Sequence, residues 1–284
     1  MSEQPADEQA PNAEQAKYWN EVAGPKWVAL DAAINGQIEP LGIQAMERVG
    51  VKPGDSVLDV GCGCGHTTHE LGRRVGDGGA VLGLDLSEPM LELARGAGSK
   101  NVEFRVGDVQ SEDLGEELYD RIFSRFGVMF FADPAAAFAN LRRALRPAGR
   151  MVFICWQEIG KNPWMAVPGA AVAPLVEMPP RPSPHAPGPF AFADAERVKG
   201  ILEESGFSKV EYEGLEHSLA IGQGMSREEL VNFSLQMGPA GAAMREADES
   251  LRGQLRAAVD EAIEPYLADG GLVMESATWI FGAE

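Results

Sequence analysis

Apolar residues in the first part of the chain recur at roughly helical spacing: Tyr18, Trp19, Val22, Trp27, Leu30, Ile34, Ile38, Leu41 and Met46, interrupted at Gly24-Pro25 and Gly36. The spacing predicts two or three short helices over 17–50, a helical cap ahead of the first strand. Residues 1–16 are rich in Glu, Gln, Asp, Ala and Pro and carry no apolar stripe. A segment that buries so little is expected to be a disordered acidic tail. From Ser56 the pattern changes to compact apolar runs, Ser56–Val60, Val81–Asp85, Val102–Val106, Arg121–Ser124 and Met151–Cys155, each separated from the next by a helical stretch. Alternation of this kind predicts a parallel sheet covered on both faces, over 51–157. Pro134 suits the first turn of the helix before the fifth strand, and Pro147-Ala148-Gly149 is expected to end that helix.

Beyond Trp156 the texture changes again. The stretch 158–193 is dense in proline and glycine, with Trp164, Met165 and Phe190 among them. Proline keeps it out of the sheet, and its length suggests a lid or pocket wall. Over 194–284 the pattern predicts a helix at 193–205, a strand at 209–219, a helix opened by the Ser226/Glu229 capping box, another at 251–267 and a last strand at 272–281.

At 284 residues the chain is long enough for one large domain or for a core with a cap. The formal charge of -19 argues against a nucleic-acid backbone or an anionic membrane as main partner. It favours a small, neutral or cationic substrate. Three cysteines without a disulfide-framework spacing, and no basic or apolar leader, point to a reducing, cytoplasmic setting. No apolar run approaches the roughly 20 residues of a membrane helix. Cys62-x-Cys64 with His66 and His69 is too tightly spaced for an ordinary zinc motif, so no metal is expected.

The chemistry concentrates at Asp59-Val60-Gly61-Cys62-Gly63-Cys64-Gly65, where the first apolar run breaks into glycines and then a helix. Glycines let the backbone approach a ligand closely, and a helix N-terminus presents free N–H groups. Asp85 closes the second apolar run about 20 residues further on, the place for a carboxylate that accepts ribose hydroxyls. The spacing is G-x-G-x-G rather than the G-x-G-x-x-G of dinucleotide sites, and Asp59 would repel a pyrophosphate but suit a cationic ligand.

These residues resemble the class I S-adenosylmethionine-dependent methyltransferases, in the branch related to the ubiquinone and menaquinone C-methyltransferases. Tyr18-Trp19, the run Phe126 to Phe131 and Trp156 with Asn162-Pro163-Trp164 carry the narrower likeness. The resemblance implies a Rossmann-like, seven-stranded, mostly parallel sheet with an antiparallel last strand, and S-adenosyl-L-methionine as cofactor, leaving S-adenosyl-L-homocysteine. It assigns the methionine end of the cofactor to Asp59, Gly61, Cys62, Gly63 and Gly65, and the ribose to Asp85. Leu86 and Met90 would line the adenosine, Asp108 and Val109 would meet the adenine, and Ser124 and Phe126 would pass beneath the methionine end.

The implied reaction is direct in-line displacement at the sulfonium methyl onto a small-molecule acceptor. Tyr18, Trp19, Trp27, Phe130, Trp156 and Trp164 are the candidate acceptor residues. A general base is needed only for a protonated acceptor. Among His66, His69, His185 and His217 the last is the choice, a weak one. Two other readings stay open, an NAD(P)-dependent reductase on a similar sheet and a non-catalytic cofactor-binding relative. A homodimer is compatible with the sequence.

Overall fold

The computed structural model describes residues 12–96, 98–177 and 183–284. The strands are β1 Ser56–Val60, β2 Ala80–Asp85, β3 Val102–Val106, β4 Tyr119–Arg125, β5 Leu145–Trp156, β6 Glu211–Ile221, β7 Leu267–Ala268 and β8 Gly271–Ala283. They form a sheet in the order β3-β2-β1-β4-β5-β8-β6, with the two-residue β7 paired to β8. β1 to β5 are parallel, and β8 runs antiparallel between β5 and β6. The four residues after Ser56 are all buried, which is why β1 reads as a continuous apolar run rather than an alternating one. Chain order reverses between β1 and β4, so a crevice opens at their carboxyl ends, where ligands of open α/β sheets bind.

The helices before the sheet are α1 Ala13–Tyr18, α2 Gly24–Ala29 and α3 Asp31–Val49, with a π-helical turn over Trp19–Ala23. Of the expected tail, residues 1–11 lie outside the described residues. Residues 13–16 are helical, because Ala13, Glu14, Gln15 and Ala16 are good helix formers with Glu14 in the first turn. α4 His66–Val75 and α5 Glu88–Arg95 follow β1 and β2. α6 Pro134–Ala144 opens with Pro134 after the Asp133 cap, whose carboxylate accepts from Ala136 N–H at 3.0 Å. Pro147-Ala148-Gly149 does not end this helix: the chain passes straight into β5 at Leu145.

The proline-rich stretch is not a bare lid. Pro163 starts α7 Pro163–Val172, which packs on α10 Gly238–Glu246 and α11 Glu249–Ile263. Pro179, Pro180 and Pro182 lie outside the described residues. Phe192 is fully buried, its ring tilted against Phe138 and Phe153 in the aromatic core. α8 Ala195–Glu204 precedes β6, and α9 Arg227–Ser234 carries the expected capping box. With α10 and α11 it stands between β6 and β8 in the chain. No described helix is long and apolar enough to cross a membrane.

Candidate cofactor and acceptor site

Gly61, Gly63 and Gly65 turn the chain from β1 into α4 with φ of 65°, 57° and 84°. A left-handed backbone costs an L side chain about 1–2 kcal/mol. Space excludes one as well: a Cβ on Gly61 would lie 2.7 Å from Gly127 Cα, and one on Gly63 2.8 Å from Met90 Cε. Gly61 and Cys62 N–H donate to the Leu84 carbonyl at 2.8 and 3.2 Å, and Gly63 N–H donates to Asp85 Oδ2 at 2.8 Å. Asp85 Oδ1 accepts from Ser87 N–H at 2.9 Å. The carboxylate therefore faces the loop at the open end of β2. Burial raises its pKa, and the Ser87 and Gly63 donors pull it back.

Asp59 lies at the foot of the loop, fully buried, with its Oδ2 accepting from the Thr67 and Thr68 hydroxyls at 2.7 Å each. Its Oδ1 has no partner among the described residues. Burial pushes the carboxyl pKa up to about 6, against the two threonine hydrogen bonds and the positive charge of Arg125. A buried oxygen without a donor costs about 1–3 kcal/mol.

The cap is fastened over this crevice. Asn20 Nδ2 donates to the Leu86 carbonyl at 2.8 Å, Glu88 N–H donates to Asn20 Oδ1 at 3.0 Å, and Ser87 Oγ donates to the Trp19 carbonyl at 3.0 Å. Between cap, loop and α7 lies a cavity of about 260 Å³. Its walls include Gly61, Cys62, Gly63, Asp85, Leu86 and Met90, then Asp108, Val109 and Phe126. All six aromatic residues expected at the acceptor side, Tyr18, Trp19, Trp27, Phe130, Trp156 and Trp164, line it too. Phe126 stacks on Trp156 with centroids 4.2 Å apart and planes at 9°, and it holds a left-handed φ of 63° that is uncommon for a bulky residue. Trp19 meets Phe130 edge-on at 5.0 Å.

Three expected cofactor residues do not face the cavity. Asp59 is beneath the loop, Gly65 turns toward Ala94 and Phe104, and Ser124 donates its hydroxyl to the Val60 carbonyl at 2.7 Å, tying β4 to β1. Asp108 does face it, with its carboxylate accepting from the Gln110 side-chain amide at 3.0 Å. His217 is corrected outright: it sits on the edge strand β6 opposite Ser276, away from the cavity lining.

His66 is the histidine at the cavity. Its Nε2 lies 2.9 Å from both oxygens of Asp31, so Nε2–H donates to the carboxylate and the lone pair of the neutral ring falls on Nδ1. Sequence reasoning did not single out Asp31, Arg125, Lys26 or Arg245, which also line the cavity. Arg125 Nη1 donates to Asn35 Oδ1 at 3.0 Å. It has room because residue 42 is glycine, whose Cβ would lie 2.6 Å from Arg125 Cδ.

A reversed strand order with the crevice at its switch point, a side-chain-free loop and a carboxylate beyond β2 come together in one α/β domain, at the place where ligands of open α/β sheets bind. Residues 57–149 match the family described as methyltransferase domain. The chain is 35% identical over 115 residues to the demethylmenaquinone methyltransferase of Lactococcus lactis, covering 39% of this chain and 46% of the relative. It is 34% identical over 118 residues to the nocamycin O-methyltransferase of Saccharothrix syringae, covering 39% and 41%. The chain spans less than half the length of these two curated relatives. Phosphoethanolamine N-methyltransferase 2 of Haemonchus contortus, solved with S-adenosyl-L-methionine, shares the fold with a TM-score of 0.60 at 16% identity, over 99% of this chain and 61% of that one.

The residues present fit S-adenosylmethionine. The cradle has no room for a Cβ, Asp85 stands where ribose hydroxyls would be accepted, and Asp59 sets a carboxylate beneath the loop, where its charge favours a cationic ligand group without touching it.

Proposed function

We propose that the chain is an S-adenosylmethionine-dependent methyltransferase acting on a small-molecule acceptor by direct displacement. The observation that carries this reading is Asp85 and the glycine turn opening into one cavity with six aromatic residues. When bound, the cofactor supplies an electrophilic sulfonium methyl. Asp85 would hold the ribose, with Leu86 and Met90 along the adenosine and Asp108 and Val109 at the adenine, while Asp59 acts from beneath the loop through its charge.

The aromatic walls exclude water and attract a cationic centre by about 0.5–2 kcal/mol. Holding the acceptor in line supplies much of the rate. For an acceptor that arrives protonated, His66 Nδ1 takes the proton, with Asp31 fixing the ring.

The net charge of -19 and the enclosed pocket support a small molecule over nucleic acid. Curated relatives named for demethylmenaquinone and for nocamycin support the same class. Methyl-labelled S-adenosylmethionine incubated with the chain and a panel of small acceptors is expected to label a small molecule and to release S-adenosylhomocysteine. Binding of the cofactor without transfer to any acceptor would favour a non-catalytic relative.

A further inference from the structure

Acids outnumber bases in this chain by 43 to 24. The roof of the cavity nevertheless carries two cations. Lys26 on α2 and Arg245 on α10 both line it, and among the described residues neither forms an ion pair within 4 Å. The other charged lining groups are already engaged by hydrogen bonds: Asp31 by His66, Asp85 by Gly63 and Ser87, Asp108 by Gln110, and the third cation, Arg125, by Asn35.

The two cations come from separate covering elements, one from the cap and one from the insertion before β8. Lys26 is half-buried. Its burial, and next the charge of Arg245, lower its pKa to about 8, so it stays largely protonated at neutral pH while facing a second positive charge. A partly desolvated cation beside a like charge is unfavourable until an anion enters. A compact lysine point charge and a planar arginine fork together match a carboxylate or a similar oxyanion.

We propose that Lys26 and Arg245 form the recognition site for an anionic head group on the methyl acceptor, whose flat apolar body lies against Trp19, Trp27 and Trp164. The proposal rests on the transferase reading above and gives its acceptor class: an organic anion, for which a carboxylate is the probe. It reverses the expectation of a neutral or cationic substrate taken from net charge. The far field of -19 is screened beyond about 8 Å at physiological salt, and the two local cations govern at contact.

The site is tested with 2-naphthoate and its neutral counterpart 2-naphthamide, binding to the full chain saturated with S-adenosylhomocysteine, read by tryptophan quenching and calorimetry. The naphthoate is expected to bind about tenfold or more tightly than the amide, as one charge-assisted contact gives. That preference should fall below about threefold in the Lys26→Met/Arg245→Met double variant and persist in Lys26→Arg, with all variants melting near the wild type. Equal binding of the two probes by the wild type, absence of binding by either included, overturns the proposal. So does a preference that survives the double substitution. If the double variant instead loses S-adenosylhomocysteine affinity while keeping its probe preference, the pair serves the cofactor's own carboxylate, and the proposal is equally overturned. Failure of the wild type to bind S-adenosylhomocysteine strikes the transferase reading alone. The naphthoate preference, measured without it, still decides the role of the two cations.

Discussion

Gly63 N–H donates to Asp85 Oδ2 across 2.8 Å, joining the loop after β1 to the carboxylate after β2. The bond ties the two strand ends together, and Gly63 makes it at a left-handed φ of 57°. Gly63→Ala is expected to destabilise by about 1–2 kcal/mol, mostly from the dihedral, because the clashing atom is the flexible end of Met90. A urea titration measures it. An unchanged midpoint would mean that the loop relaxes without cost.

Gly127 has an ordinary φ of -82°, so its constraint is space alone. A Cβ there would stand 2.7 Å from the Val60 carbonyl oxygen and 2.8 Å from Gly61 Cα, both backbone atoms. Gly127→Ala should cost about 1–3 kcal/mol through overpacking. Gly253→Ala, inside α11 with open space around it, should stabilise by about 0.5–1 kcal/mol. Thermal melts of the two variants are expected to move in opposite directions.

Asp59 links stability and binding with opposite signs. Burial raises its pKa to about 6 from an ordinary 3.8, so the protonated form is the one the empty fold favours. Its contribution to stability is fully present below pH 3.8 and lost as pH rises through 6. From beneath the loop the carboxylate attracts a cationic ligand group only in its ionised form. S-adenosylhomocysteine affinity should therefore be flat above pH 7 and fall by up to about tenfold per unit below pH 6. Asp59→Asn should weaken binding at pH 7.5 and flatten this acid limb in calorimetric titrations. An acid limb of unchanged depth in the variant would shift the assignment to another group.

His66→Gln should lower kcat by about 100-fold or more with an acceptor whose reacting group must lose a proton. Stability should change little, because the His66 and Asp31 side chains are 38% and 24% exposed and such a pair contributes about 0–1 kcal/mol. Turnover near the wild-type value would remove His66 as the base.

Much of this site was legible in the chain because its determinants are local. The β1 run, the glycine turn and the Asp85 strand end lie within one strand-turn-helix-strand unit, and their spacing alone sets their geometry. The cap aromatics were visible as a helical stripe. Arg125, Lys26 and Arg245 were not, since a single cation in a sequence looks like any solvated charge. Arg245 reaches the cavity only because α10 packs on α7. His217 failed for the converse reason: a histidine on a late strand looked central, but β6 closes the sheet at its far edge. Proline density marked 158–193 as outside the sheet, yet it hid a helix that begins at a proline, the one helical position where its missing N–H costs nothing.

The central claim is that the loop after β1 and Asp85 hold an S-adenosyl nucleoside. Calorimetric titration of S-adenosylhomocysteine into the wild type and Asp85→Ala tests it most directly. Saturable one-site binding by the wild type, weakened in the variant by about 1.5–3 kcal/mol, is the expected result. Equal affinity in the two proteins, or a wild type that ignores this nucleoside and takes up NADPH, would contradict it.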